Sequence, residues 1–302
     1  MRKSIVITGA SGFLGQNVGT YLEEFGVLQP LSVRYRPDQH FTINTTSVIH
    51  LAGKAHDLKN VSAPKVYYEA NFELTKQLYG AFLSSNAQKF IYISSVKAAA
   101  DHINEPLTEE HTSNPQTHYG KSKLKAEEYI INQPLPKGKS YYILRPCMIH
   151  GPGNKGNLNL LYKFVSKGIP YPLAAFNNRR SFLSVENLCF IIKELLERED
   201  IPSGVYNVAD DEALSPTQLF SLLSQSINKS PSLLNIPPSL ISFVARLGDK
   251  LRLPLNTERL GKLTENYVVS NAKIKKALKK ELPLSAREGI LLTARSLKDQ
   301  MA

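Results

Sequence analysis

The start of the chain carries the pattern that most limits what it can fold into. An apolar, largely β-branched run, KSIVIT, leads directly into GASGFLG, and the amphipathic segment QNVGTYLEEFG follows. This order predicts a buried strand, a glycine turn and a helix, with Gly26 as the stop of that helix. A unit of this kind begins an α/β fold, in which helices cover a sheet of parallel strands.

The glycines of this turn have a regular spacing. Gly9, Gly12 and Gly15 form the pattern G-x-x-G-x-x-G between the predicted strand and the predicted helix. Glycine permits a tight turn and lets the backbone approach a pyrophosphate, while the first turn of the helix offers free N–H groups to its oxygens. The turn therefore predicts dinucleotide binding, and the alternative is a glycine turn that serves helix packing alone.

Apolar runs and helical segments continue to alternate up to Pro146. We predict further strands in PLSVRY, SVIHLAG, KFIYIS and SYYILRP, and helices in APKVYYEANFELTKQLYGAFLSSN and YGKSKLKAEEYIINQ. This alternation predicts a doubly wound parallel sheet of the Rossmann type. Between Arg36 and Ser47 the chain is too short for a full helix and another strand, so an abbreviated crossover is expected there.

The pattern changes after Pro146. HGPGNKGN indicates a loop, LNLLYKFVSKG a helix, RSFLSV a short strand, and GVYNVAD a strand that returns to the main sheet. We therefore predict a dinucleotide-binding domain over residues 1–150, with a return segment near 182–210, and a smaller, mostly helical substrate lobe over 151–302. In that lobe PPSLISFVARLGDKLRLPL either covers the substrate or rests on a membrane surface, and its helical apolar spacing favours the first role.

Composition indicates an ordinary globular protein. Hydrophobic residues make up 42% of the chain and charged residues 21%, and no apolar stretch approaches the length of a membrane span. The two cysteines, Cys147 and Cys189, fit a reducing compartment and predict neither a disulfide framework nor a metal site. No transmembrane segment is therefore expected, and the cytoplasm is the expected location.

The net charge of +11 is concentrated towards the end of the chain, where 13 Lys and Arg stand against 6 Asp and Glu from Arg246 onwards. Such an excess fits nucleic acid, a phosphorylated small molecule or an anionic membrane surface. No helix-turn-helix, zinc-finger or aromatic-basic RNA motif accompanies it, so no nucleic-acid partner is predicted. Much of KIKKALKK is expected to be a solvated basic face.

Three side chains point to acid–base chemistry at one oxygen. Tyr119 and Lys123 lie four residues apart at the start of a predicted helix, and therefore on one face of it. A phenol with a pKa of about 10 is a poor base at neutral pH, but a neighbouring ammonium stabilises the phenolate. Ser95 follows a predicted parallel strand at its carboxyl end, where such sheets bind ligands. Alone, a Tyr–Lys pair at this spacing is a common surface feature.

The end of the second predicted strand indicates the form of the dinucleotide. An Asp or Glu there holds the ribose 2′-hydroxyl of NAD, whereas Arg suits the additional phosphate of NADP. The segment SVRYRPD provides Arg34 and Arg36, and its first acid is Asp38. NADP(H) is therefore the favoured cofactor and NAD the alternative, unless both arginines simply face solvent.

Together these motifs closely resemble those of the extended short-chain dehydrogenase/reductase family, in particular the epimerase/dehydratase group that acts on nucleotide sugars. The resemblance rests on TGASGFLG, VIHLAG, EANFELT, YISS, HYGKSK, LRPCMIHGPG, RSFLSVENL and GVYNVAD. The segment that follows these motifs matches only loosely. The resemblance implies an NAD(P)-dependent enzyme with a Rossmann domain.

The resemblance also implies roles for individual residues. Ser95, Tyr119 and Lys123 form the catalytic triad, and Lys123 also reaches the nicotinamide ribose. Asn71 steadies the active-site helix, and Arg180 grips the diphosphate of the sugar nucleotide or is a surface arginine. The cofactor-binding residues that it implies are Gly9, Gly12, Phe13, Leu14 and Gly15 around the pyrophosphate, and Leu51, Ala52 and Gly53 on the adenosine side.

The residues after Ser95 separate the subfamilies. Dehydratases of the resembled group commonly place Asp-Glu there, and a second type uses Asp-Lys, because the elimination of water needs their proton transfers. This chain has Val96 and Lys97 instead, so the first type is not expected. The second type stays a less favoured alternative, because its lysine is present and its aspartate is absent. Lys97 either meets a substrate phosphate or faces solvent.

Hydride transfer at C4 of a sugar remains. A 4-keto reductase acting on a UDP-4-keto-6-deoxy-N-acetylhexosamine and a 4-epimerase acting on UDP-glucose or UDP-GlcNAc would use the same triad. Arg34 and Arg36 favour the reductase, and the resemblance to bacterial enzymes of surface-polysaccharide synthesis favours a UDP-sugar. The distant alternative is a non-catalytic NADP-sensing regulator. A homodimer formed by helices around 64–86 and 119–133 is also implied.

Overall fold

The computed structural model describes residues 3–55, 63–154, 156–251 and 256–301. The strands are β1 (Lys3–Thr8), β2 (Gly26–Leu31), β3 (Ser47–His50), β4 (Lys89–Ile93), β5 (Ser140–Pro146), β6 (Met148–His150), β7 (Phe182–Ser184) and β8 (Gly204–Val208). The helices are α1 (Phe13–Tyr21), α2 (Pro64–Tyr68), α3 (Leu74–Leu83), α4 (His118–Asn132), α5 (Asn157–Ser166), α6 (Val185–Glu197), α7 (Pro216–Ser226), α8 (Pro238–Leu251), α9 (Thr257–Thr264), α10 (Ala272–Leu278) and α11 (Ala286–Met301). Residue 155 of HGPGNKGN and residues 252–255 of PPSLISFVARLGDKLRLPL lie outside the described residues.

Six parallel strands form the main sheet in the order β2-β1-β3-β4-β5-β8. From β1 the chain builds β2 on one side and then crosses to β3 on the other side. The order of strands therefore reverses between β1 and β3, and at such a point the carboxyl ends of parallel strands open a crevice. The doubly wound fold is confirmed, and β8 returns to the main sheet as GVYNVAD predicts.

The position of the second strand corrects the sequence prediction. PLSVRY was expected to be the strand and Gly26 the helix stop, but β2 runs over Gly26–Leu31 and α1 already ends at Tyr21. Gly26 pairs with Lys3, and a Cβ on Gly26 would lie 2.6 Å from the Lys3 carbonyl oxygen. Because β2 is an edge strand, it tolerates a proline. Residues 32–46 contain no helix, so the abbreviated crossover is confirmed.

Each face of the main sheet has its own apolar cluster. Ile5, Ile7 and Ile49 pack with residues of α1 and α6 on one face. Val6 and Val48 pack with residues of α3 and α4 on the other face. Since neighbours along one strand serve opposite clusters, every residue in the middle of these strands is apolar.

The part of the chain after β5 adds a smaller assembly of helices. β6 and β7 form a two-stranded parallel sheet, and residues of α5, α7 and α11 share an apolar cluster. A further small cluster joins Leu173 with residues of α8 and α9. No helix within the described ranges combines the length and the hydropathy that a bilayer span requires.

Lysine side chains cap the carboxyl ends of two helices that pack on the main sheet. Lys139 Nζ donates to the carbonyl oxygens of Phe82, Ser85 and Ala87 at 2.9, 2.7 and 2.6 Å, just where α3 ends. Lys89 Nζ does the same for Leu195, Leu196 and Arg198 at the end of α6. A cation in this position satisfies carbonyls that have no partner within the helix and interacts favourably with the helix dipole.

We expect Lys139→Met to lower the free energy of unfolding by about 1–3 kcal/mol, because three carbonyls lose a charged donor. Urea unfolding at neutral pH measures the change. The matched control is Lys137→Met, which removes an exposed lysine two residues away and should leave the unfolding midpoint unchanged. Equal midpoints for the two variants would show that the cap contributes nothing.

Candidate active site

Ser95 stands at the carboxyl end of β4, where the strand gives way to a single 3₁₀ turn over Val96–Ala98. Its backbone is extended, and its Oγ accepts a hydrogen bond from the Lys97 N–H at 3.2 Å. Serine is a preferred residue at such a cap, since its hydroxyl accepts from a backbone donor that has no other partner. The cap fixes the hydroxyl at the rim of the sheet.

Tyr119 lies in the first turn of α4, which packs directly on the turn that carries Ser95. Thr117 caps the helix by accepting from the Gly120 N–H at 3.2 Å. A Cβ on Gly120 would lie 2.3 Å from the Lys97 carbonyl oxygen, so glycine is needed for this close approach. Burial raises the pKa of Tyr119. The hydrogen bond between its phenol and the Ser95 side chain opposes this effect.

Lys123 follows one helical turn later, and its side chain is only 5% exposed. Its Nζ donates to the carbonyl oxygen of Ile93, the last residue of β4, at 2.8 Å and lies 4.8 Å from the centre of the Tyr92 ring. Burial lowers the pKa of Lys123 to about 8, and the nearby carboxylate of Glu127 opposes this effect. Such an amine changes its charge close to neutral pH.

Glu127 is a buried carboxylate that sequence reasoning did not single out. It lies one turn after Lys123 and accepts hydrogen bonds from Arg145 Nε at 3.1 and 3.0 Å. It also accepts from the hydroxyl of Ser94. The Ser94 side chain therefore ties the end of β4 to α4.

The glycine turn has the shape that a pyrophosphate cradle requires. Gly9 has a φ of +71°, and a Cβ on Gly15 would lie 2.2 Å from the Gly9 carbonyl oxygen. Gly12 caps α1 without a side-chain hydrogen bond, so the first N–H groups of the helix keep no partner from a cap. Phe13 and Leu14 pack against the core cluster and hold this end of the helix on the sheet. These residues fit a dinucleotide.

Leu51, Ala52 and Gly53 follow β3 on the other side of the strand reversal. The Ala52 N–H donates to Thr8 Oγ1 at 3.1 Å and so joins the ends of β3 and β1. A cleft of about 230 Å³ opens here, lined by Leu51, Gly53, Lys54, Ala55, Ile93, Ser94, Ser95, Tyr119, Lys123, Pro146, Cys147 and Ile149. The triad predicted from the sequence therefore shares one cleft with two of the predicted cofactor residues.

Asn71 connects this cofactor side to α4. It lies in a π-helical turn over Glu69–Glu73, a type of turn that is frequent at functional sites. Its Oδ1 accepts from the Lys54 N–H at 2.8 Å, and its Nδ2 donates to the Lys54 carbonyl at 3.1 Å and to Ser122 Oγ at 3.0 Å. Asn71 thus holds the cleft-lining residue Lys54 at a fixed position relative to the helix that carries Tyr119.

His50 is another residue that sequence reasoning missed. Its Nδ1 lies 2.8 Å from Thr8 Oγ1 and its Nε2 lies 2.9 Å from Thr75 Oγ1. Because Thr75 donates to the Asn71 carbonyl at 2.8 Å, its hydroxyl oxygen accepts from His50 Nε2. Burial lowers the pKa of His50 to about 3, and Lys123 adds to this effect. The imidazole is therefore neutral. In the sequence, a histidine inside the apolar run SVIHLAG could have indicated this buried polar contact.

Two predicted substrate-binding residues lie outside the cleft. Lys97 is half-buried, donates to the Asp101 carbonyl at 2.7 Å and lies 4.2 Å from the centre of the Tyr267 ring. Arg180 donates to the Lys262 carbonyl at 2.7 Å and to the Glu265 carboxylate at 3.2 Å. In this structure both side chains are held by contacts with the protein itself.

Arg34 and Arg36 lie in the loop that follows β2, and both are exposed. Since β2 is the parallel neighbour of β1, this loop begins at the same carboxyl end of the sheet as the glycine turn. Both guanidinium groups are therefore exposed on a loop that begins beside the glycine turn.

Comparisons with known proteins agree with this geometry. The model of the NAD dependent epimerase/dehydratase family matches residues 5–209. A UDP-glucose 4-epimerase of Vibrio cholerae is 27% identical, with 98% of this chain and 96% of that protein covered. The N-acetyl-alpha-D-glucosaminyl-diphospho-ditrans,octacis-undecaprenol 4-epimerase of Escherichia coli O157:H7 is 28% identical over 91% of this chain and 86% of its own length.

A solved structure shows the same fold. RMD from Pseudomonas aeruginosa, complexed with NADPH, superimposes with a TM-score of 0.76 at 20% identity and covers 100% of this chain and 99% of its own. The family model spans more than half of the chain, and it includes the glycine turn and the cleft. The chain therefore belongs to the NAD dependent epimerase/dehydratase family and is an NAD(P)-dependent enzyme of the extended short-chain dehydrogenase type.

Proposed function

We propose that this enzyme transfers hydride at C4 of a UDP-sugar, as an NADPH-dependent reductase of a UDP-4-keto-6-deoxy-N-acetylhexosamine. The observation that carries the proposal is the arrangement of Ser95, Tyr119 and Lys123 around one cleft at the carboxyl end of β4. A bound nicotinamide supplies the hydride to the sugar carbon. The protein has to hold the carbonyl oxygen and give it a proton.

The triad provides both of these functions. Ser95 and Tyr119 are hydrogen-bonded to each other, so one substrate oxygen can lie within reach of both hydroxyls. Burial raises the pKa of Tyr119, so the phenol is protonated at neutral pH and is ready to donate. When the proton leaves, the ammonium of Lys123 stabilises the phenolate. A protonated phenol is the form that reduction of a ketone requires at its start.

The surroundings of Ser95 argue against dehydration. Val96 is apolar and buried, and Lys97 is turned towards the Asp101 carbonyl. The two positions after Ser95 therefore offer no carboxylate for the proton transfers that elimination of water needs. Transfer of a hydride to one carbon and of a proton to its oxygen remains the reaction that these residues support.

The form of the cofactor rests on Arg34 and Arg36. Both are exposed on the loop after β2, which begins at the carboxyl end of the sheet where the glycine turn also lies. Guanidinium groups bind phosphate by charge-assisted hydrogen bonds, and the 2′-phosphate distinguishes NADP from NAD. NADP(H) is therefore the proposed cofactor, with NAD as the alternative.

A 4-epimerase is the second candidate. It is favoured by the names of the Vibrio cholerae and Escherichia coli relatives, which are both 4-epimerases. The name of the second relative specifies a sugar attached through a diphosphate to undecaprenol. Such a compound shares its sugar and its diphosphate with a UDP-sugar, and the proposed diphosphate ligand Arg180 would serve either.

Assembly and location are part of the proposal. We expect a homodimer through the helices of residues 64–86 and 119–133. The free, buried thiols of Cys147 and Cys189 are consistent with a reducing compartment, and the cytoplasm is the proposed location.

The reaction is tested by supplying purified enzyme with NADPH and a UDP-4-keto-6-deoxy-N-acetylhexosamine. We expect stoichiometric oxidation of NADPH, and we expect Tyr119→Phe to lower kcat by about a hundredfold or more because the proton donor is lost. Interconversion of UDP-GlcNAc and UDP-GalNAc without net consumption of cofactor would replace the reductase by the epimerase. Full activity of Tyr119→Phe would exclude the proposed role of the phenol in either reaction.

The choice of cofactor is tested by replacing Arg34 and Arg36 together with alanine. We expect the Kd for NADPH to rise by about tenfold or more and the Kd for NADH to change little, because only NADPH carries the 2′-phosphate. Arg295→Ala, which removes an exposed arginine of α11, is the control. An equal loss of affinity for both dinucleotides would contradict the proposed role.

The pH dependence of kcat/KM tests the charge of Lys123. Its pKa of about 8 predicts a rate that is constant below this value and falls as the pH rises through it, because the ammonium is the active form. Glu127 raises this pKa, so Glu127→Gln should move the alkaline limb to lower pH. Glu128→Gln, at the exposed neighbouring position, should leave the limb in place. A limb that is the same in both variants would assign it to another group.

A further inference from the structure

The outer face of helix α8 is apolar and exposed. Leu240, Phe243, Val244, Leu247 and Leu251 recur at the spacing of one helix face, and we call this set the α8 stripe. The side chains of Leu240, Phe243 and Leu251 are 52%, 56% and 66% exposed. A contiguous row of large apolar side chains on a surface marks a contact with a partner rather than the usual scattered exposure.

The α8 stripe is not the side by which the helix packs on the protein. Ile241, Ala245 and Gly248 are buried on a different side of α8. Ile241 and Ala245 pack in a small cluster with Leu173 and Leu260. The helix therefore has two apolar faces, and the smaller of them packs on the rest of the lobe.

Further exposed apolar side chains lie in the segment before α8. Leu233 and Leu234 precede α8 and are 38% and 43% exposed. The Tyr171 N–H donates to the Ser232 carbonyl and the Leu234 N–H to the Tyr171 carbonyl, so this segment lies beside the chain that leaves α5. Within the described part of the chain, 11 of the 16 exposed large hydrophobic side chains lie between residues 160 and 263. The apolar surface is thus concentrated on one lobe.

Basic side chains border the α8 stripe. Arg246 and Lys250 are exposed and lie one helical turn apart. Both lie along the border of the stripe that is farther from Ile241. Asp249, the single acid of α8, accepts from the Thr257 N–H at 3.1 Å and so serves the start of α9. The whole chain has a net charge of +11. The electrostatic surroundings of the stripe therefore complement an anionic surface.

We propose that the α8 stripe docks on an anionic lipid bilayer, with Phe243 and the leucines at the boundary between headgroups and acyl chains. Arg246 and Lys250 would then lie at the level of the lipid phosphates. Helices that lie in a membrane interface combine an apolar face with basic residues on its border. A second copy of the chain would instead bring like charges together around the stripe. This proposal does not depend on which reaction the enzyme catalyses.

Docking would bring the proposed diphosphate ligand Arg180 near the bilayer. Helix α9 follows α8 and contributes Leu260 to the same small cluster. The Lys262 carbonyl of α9 accepts from Arg180, the proposed diphosphate ligand, at 2.7 Å. The docked face and Arg180 are therefore separated by a single short helix.

The first experiment places a fluorescent probe in the stripe. The chain contains no tryptophan, so Phe243→Trp gives the enzyme a single tryptophan as reporter. With phosphatidylcholine vesicles that contain phosphatidylglycerol, we expect a blue shift of its emission and quenching by brominated acyl chains. Val27→Trp, at an exposed position of β2, should show neither effect. An emission from Phe243→Trp that vesicles leave unchanged would overturn the proposal.

The second experiment measures sedimentation of the enzyme with the same vesicles. We expect Leu240→Ser/Phe243→Ser/Leu247→Ser and, separately, Arg246→Gln/Lys250→Gln to weaken binding by about tenfold or more. Val27→Ser should bind like the unmodified enzyme, and unchanged thermal midpoints show that the variants fold. Binding that neither set of changes weakens would overturn the proposal. So would light scattering that shows the triple variant to dissociate an oligomer, because the stripe would then be a subunit contact.

Discussion

The buried pair of Glu127 and Arg145 sets the position of everything around the cleft. Arg145 belongs to β5 and Glu127 to α4, and Ser94 at the end of β4 binds the same carboxylate. Removing one partner of such a pair leaves an uncompensated buried charge, at a cost of about 3–5 kcal/mol. The pair therefore fixes α4 against two strands of the sheet. Lys123 lies one turn before Glu127, so the same contact places the ammonium at the end of β4.

Burial of Lys123 lowers the stability of the fold but favours the proposed chemistry. Desolvation disfavours its ammonium and lowers its pKa to about 8, which destabilises the folded protein wherever the amine is protonated. The same burial removes water from around Tyr119, where an ammonium then stabilises a phenolate most strongly. On the cofactor side the polar chain from Thr8 through His50 and Thr75 is uncharged, since burial keeps His50 neutral. The buried ammonium of Lys123 therefore lies near a neutral polar network.

Much of this fold could be predicted because its signals are local. The strand, glycine turn and helix follow one another directly in the sequence, and Tyr119 and Lys123 share one helix turn. The bounds of β2 were mispredicted because Gly26 is held by pairing with Lys3, a contact that no local pattern encodes. The contact between Ser94 and Glu127 joins residues 33 positions apart. In the sequence, Glu127 is indistinguishable from the exposed Glu128 beside it in KAEEY.

Helix α8 shows the same limit in a different form. Apolar residues at helical spacing favoured a covering role for this segment, yet periodicity does not say which of two apolar faces meets the protein. The structure buries the small side, with Ala245 and Gly248, and exposes the bulky side with Phe243. Close packing explains this choice, because small residues let α8 approach the lobe. The bulky face stays exposed, and the basic residues along its edge complement the anionic bilayer that we propose as its partner.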